Sequence, residues 1–118
     1  MLAENRKNPR YQSLAKAQID GINGGEVVLK DLSITGCCVE STMHIKLESG
    51  GKYRIEIFPE MAAHIGSFEL LLESVWSRNG NYSSEFGFLV VESPKGKLFQ
   101  RYVDYLSWRS EIGLAGHT

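Results

Sequence analysis

The chain has 118 residues and a formal net charge of -1, enough length to bury one core without disulfides or a structural metal, and too little positive charge to coat a polyanion. An apolar fraction of 42% exceeds what a disordered chain carries, while its longest apolar runs fall far short of a membrane span, so a single folded domain without membrane insertion is expected. The only cysteines, Cys37 and Cys38, are neighbours, and the first thirty residues contain no apolar signal segment, so a reducing, cytoplasmic setting is expected.

Residues 1–12 are polar, and Pro9 disfavours helix at Asn8, which makes this segment an extended, ligand-orderable arm carrying Arg6, Lys7 and Arg10. Ala15, Ala17 and Ile19 alternate and predict a first strand over Gln12–Ile19, ended by the turn pairs Asp20-Gly21 and Asn23-Gly24-Gly25. Glu26–Lys30 predicts a strand, Asp31-Leu32-Ser33-Ile34-Thr35-Gly36 a turn, and Cys37–Val39 the returning strand. In Lys52–Phe58, Tyr53, Ile55 and Ile57 share one face, and Pro59 stops the strand. Ser67–Trp76 and Ser84–Val91 form a hairpin about Asn79-Gly80-Asn81.

The period then changes, with Leu98, Phe99, Tyr102, Val103, Tyr105 and Leu106 at three- and four-residue spacing. One amphipathic helix is predicted, with Ser93 as N-cap, Pro94 at its first position and an end after Arg109, because Gly113 and Gly116 break the tail. The organisation is thus an arm over 1–12, a barrel plus helix over 13–109 and a tail over 110–118. Six or so antiparallel strands with one terminal helix predict a closed or nearly closed all-β barrel, the helix lying across one opening or face.

Guanidinium groups match phosphate oxygens bidentately and stack on purines, which makes Arg6 and Arg10 candidate anion ligands, with Lys7 adding a point charge. Asp31 can accept from a guanine edge, Ser33 can bond a phosphate or base, and Gly36 admits close backbone approach, although such a hexapeptide is also an ordinary turn. Arg6-x-x-x-Arg10 followed about twenty residues later by Asp31-x-Ser33-x-x-Gly36 resembles the signature of PilZ domains, bacterial receptors for cyclic di-GMP. The likeness extends to Asn8-Pro9-Arg10-Tyr11, Val75-Trp76-Ser77-Arg78, Phe86-Gly87-Phe88 and the closing helix.

That resemblance implies a six-stranded antiparallel barrel with a C-terminal helix, and an arginine arm that folds over cyclic di-GMP. Arg6, Lys7 and Arg10 would take phosphates and guanine edges, Asp31 and Ser33 the other guanine, Gly36 the close approach, and Trp76 and Arg78 would border the pocket. Lys7 stands where the family often has arginine, and Thr35-Gly36 replaces a Gly-Gly pair. Ordering of the arm would pass the signal to a downstream protein partner.

Other chemistries find less support. His44, His64 and His117 are dispersed and lack metal-ligand spacing, Cys37 and Cys38 point to opposite faces of a strand, and no nucleophile accompanies the carboxylates, so neither a metal, a cofactor nor an enzyme is expected. Trp76, Tyr82, Phe86 and Phe88 suit a barrel that stacks single-stranded nucleic acid, but the charge is concentrated at one chain end, against a polymer track. A protein-interaction module working through Tyr102, Tyr105, Leu106 and Trp108 is the other alternative.

Overall fold

Strands form where the alternation predicts them, since period-two apolar residues can bury only on one face of a pleat. The computed structural model describes residues 9–22, 26–93 and 96–116. Arg6, Lys7 and Asn8, the Asn23-Gly24-Gly25 turn, Pro94 and His117 lie outside the described residues. The strands are β1 (Tyr11–Gln12), β2 (Lys16–Ile19), β3 (Val27–Leu32), β4 (Gly36–Ser41), β5 (Lys52–Phe58), β6 (Phe68–Asn79) and β7 (Ser84–Glu92), followed by helix α1 (Gly96–Gly116). A single 3-10 turn, Met61–Ala63, follows β5.

All neighbouring strands run antiparallel, in the order β1-β3-β2-β5-β6-β7-β4, and a further β3–β4 pairing returns the sheet to its start. Six strands, β2 to β7, therefore close a barrel, with β1 beside β3 in line with β2. β1 and β2 are one strand interrupted at Ser13–Ala15, since the Ser13 and Leu29 amides donate to the Lys30 and Ala15 carbonyls at 2.9 Å and carry the ladder across the gap.

The core is the inner face of this barrel. Ile19, Leu29, Leu32, Val39, Ile55, Ile57, Leu70, Leu72, Phe86 and Phe88 are fully buried, joined by Tyr102 and Leu106 from the helix. Phe68 meets the Phe99 and Tyr102 rings at 6.1 and 6.0 Å between centroids, which seats α1 at the barrel end where β5 leaves and β6 begins. Burying each such side chain stabilises by about 1.5–3 kcal/mol, so the helix stripe is satisfied within the chain.

Several boundaries differ from expectation. The helix does not stop after Arg109 but continues to Gly116, because one interior glycine costs only about 1 kcal/mol against Ala, too little to end a helix already docked by its preceding turns. Asp31 and Leu32 belong to strand β3 rather than to the turn, and β6 runs on to Asn79, because each pairs across to a neighbour. Both cysteines are free and buried, Cys37 in the core and Cys38 on the outer wall. His44 and His64 are exposed.

Candidate functional site

The outer wall of β3, β4, β7 and β6 carries the chemistry, and two irregularities aim it. A β-bulge at Lys30 breaks the alternation, so that Leu29 and Leu32 point inward while Lys30 and Asp31 both face outward. A second irregularity at Val75 sets Trp76 opposite Gly87. Registers then align Gln12, Asp31, Cys38, Gly87 and Trp76 in one lateral row across five strands. With strands spaced about 4.8 Å apart, Asp31 and Trp76 bracket roughly 14 Å of wall, and the small Cys38 and Gly87 make its floor shallow.

The corner between β3 and β4 is held by Ser33. Its Oγ accepts from the Thr35 and Gly36 amides at 3.2 and 3.1 Å, its own amide donates to the Gly36 carbonyl at 2.8 Å, and the Val90 amide donates to the Thr35 carbonyl at 2.9 Å. Ser33 is only 1% exposed, so its hydroxyl shapes the corner from beneath.

Arg10 lies over that corner. Its Nη2 is 3.3 Å from the position a Cβ on Gly36 would occupy, and its Nη1 is 3.8 Å from Asp31 Oδ1. A Cβ on Gly36 would also stand 2.6 Å from the Phe88 carbonyl oxygen, so glycine is required by closeness on both sides. Arg10, Asp31, Ser33 and Gly36 are therefore brought together.

Trp76 and Arg78 border the far side. The pyrrole side of the indole occupies the space that a side chain on Gly87 would fill, and the Arg78 guanidinium sits 5.8 Å from the Trp76 ring. Arg78 and Lys30 both donate to Glu85. These bonds hold the Glu85 carboxyl below the usual carboxylate range and raise the Lys30 ammonium. Burial, reinforced by Asp31 and Glu85, pushes the Cys38 thiol up to about 12, so it stays a neutral filler.

Gln12, Lys30, Cys38 and Glu85 escape a motif-based reading, and Gly87 enters one only as part of Phe86-Gly87-Phe88, with no role at the wall. Gly87, between two core phenylalanines, was the one visible sign of an outward position kept empty. The assembled wall offers cations, an acid, a planar ring and a shallow floor, which suits a planar anionic ligand. Among the described residues no cluster of His, Cys, Asp or Glu is placed to hold a metal, and no helix is long and apolar enough to cross a membrane.

No protein-family model and no curated protein matches the chain. Solved structures do. The Bacillus subtilis inhibitor of motility (MotI/DgrA) superposes with a TM-score of 0.75 at 19% identity, over 93% of this chain and 53% of that one, so the chain spans about half that protein's length. The PilZ domain of YcgR from Escherichia coli, solved with c-di-GMP, superposes with a TM-score of 0.69 at 15% identity, over 95% of this chain and 98% of the domain. The fold is the six-stranded barrel with one C-terminal helix found in PilZ domains, as the sequence resemblance implied.

Proposed function

We propose that this PilZ-fold chain is a non-enzymatic, intracellular receptor for cyclic di-GMP, which orders the N-terminal arm across the outer wall and alters the surface shown to a protein partner. The observation that carries this reading is the seat of Arg10 over Gly36 beside Asp31, since two sequence-distant halves of one motif meet at a single corner. The YcgR domain, of the same fold, was solved with that dinucleotide and supports the choice of ligand. Arg10 would take a phosphate or guanine edge, Asp31 a guanine edge, and Trp76 with Arg78 would offer a stacking surface. Ser33 and Gly36 would serve by shaping the corner, and Arg6 and Lys7 would close from the arm.

The test is isothermal titration with cyclic di-GMP, cyclic di-AMP, GTP and an oligonucleotide. Saturable heat with cyclic di-GMP is expected, and Arg10→Ala should weaken it about 10- to 100-fold, the worth of one charge-assisted guanidinium. Heat with the oligonucleotide alone would favour nucleic-acid binding. Silence with all four would favour an interaction module, with exposed Trp108 and Ile112 on α1 as its contacts.

A further inference from the structure

β1, which follows Arg10 directly, has only two residues, Tyr11 and Gln12, paired with Leu32 and Asp31. Beyond these two pairs the ladder continues only through single bonds at Ser13 and Ala15, yet Arg10 must be held over Gly36 for its side of the site to form. A second restraint comes from the helix. Arg109 donates through Nη2 to the Gln12 carbonyl and through Nη1 to Glu60 Oε2, while the Tyr102 hydroxyl donates to Glu60 Oε1. Ser13 Oγ lies 2.7 Å from the Tyr102 oxygen and accepts from the Ala15 amide at 2.9 Å. With the Tyr102 proton committed to the carboxylate, the Ser13 hydroxyl donates to Tyr102. The bonds close a ring through the Gln12–Ser13 peptide.

Tyr102 and Ser13 are buried and the Glu60 side chain is only 13% exposed, so water screens their bonds poorly, while Arg109, 29% exposed, closes the ring on its solvent side. Arg109 is further packed on the Tyr105 ring at 5.7 Å. The ring joins three segments distant in sequence: the strand that follows Arg10, the residue after Pro59, and the helix.

We infer that Glu60, Tyr102 and Arg109 are positioning residues for Arg10, and that ligand binding at the outer wall is thereby coupled to the docking of α1. This coupling rests on the receptor reading of the outer wall. Any ligand that tightens Arg10 against Gly36 favours the closed ring, and by reciprocity any change that opens the ring weakens binding at a site it never touches.

The experiment titrates cyclic di-GMP into the wild type, Glu60→Gln, Arg109→Leu and the exposed-helix control Lys97→Ala, and follows amide exchange of Tyr11–Ser13 without ligand. Glu60→Gln turns one acceptor into a donor facing Arg109 or Tyr102, and Arg109→Leu removes both clamps. Both should weaken binding about 5- to 20-fold and speed exchange at Ser13, whose amide donates to the Lys30 carbonyl, with Lys97→Ala unchanged. In an Arg10→Ala background, Arg109→Leu should cost no further affinity, which a general loss of stability would not reproduce. Wild-type affinity in Glu60→Gln and Arg109→Leu, or the same loss with and without Arg10, overturns the positioning role alone. Failure of the wild type to bind cyclic di-GMP overturns the receptor reading, and the positioning role with it.

Discussion

Gly36 and Gly87 face the same wall, yet replacing each by Ala should have unequal consequences. Neither is among the described glycines with left-handed backbone, Gly21 and Gly50, so space alone decides. At Gly36 the new methyl would stand 2.6 Å from the Phe88 carbonyl oxygen, roughly an ångström inside the separation of about 3.5 Å where contacts become favourable. The obstacle is backbone of the paired strand, so β4 and β7 must part where Gly36 meets Leu89. Overpacking of this kind costs about 1–3 kcal/mol, or roughly 4–12 °C in melting temperature at about 4 °C per kcal/mol. Arg10 would lose its seat as well.

At Gly87 the new methyl would fall 2.0 Å from Trp76 Nε1, a harder collision with a softer obstacle. The indole is 40% exposed and can swing into solvent, so the cost should stay under about 1 kcal/mol while the tryptophan emission shifts red. Thermal melting and fluorescence of Gly36→Ala and Gly87→Ala, made in a Trp108→Phe background to isolate Trp76, measure both. A wild-type melting temperature for Gly36→Ala, or a lower one for Gly87→Ala than for Gly36→Ala, would refute the spatial argument.

The titrating groups on the same wall give two further predictions. Lys30 and Arg78 lower the Glu85 pKa from its ordinary 4.5, so the unfolded chain binds that proton more readily; the stabilisation is complete above about pH 4.5 and lost as pH falls through the folded value. Glu85→Gln should therefore show a shallower loss of melting temperature than the wild type between about pH 5 and pH 3, and parallel curves would contradict the ion pairing. Burial holds the Cys37 and Cys38 thiols protonated, so near pH 8, roughly where a free cysteine begins to ionise, Ellman's reagent should label neither until denaturant is added. Fast native labelling would place Cys38 outside the packed wall.

Alternation at Ala15–Ile19 and Tyr53–Ile57, the turn residues between strands and the change of period at Leu98 determined the strands, the single helix and the inward faces, because those properties depend on neighbours a few positions away. The Arg10 and Asp31-x-Ser33-x-x-Gly36 motif likewise marked the corner. Only the tertiary structure decided that the sheet closes through β3 and β4, that the bulge at Lys30 turns Asp31 outward, that Trp76 rests on Gly87, and that Arg109, held by Glu60, reaches the strand next to Arg10. Helix α1 passes Arg109 for the same reason. A periodic pattern states which face is buried but not which strand lies beside it, and a bulge is one extra residue whose cost and direction are set by the partner strand.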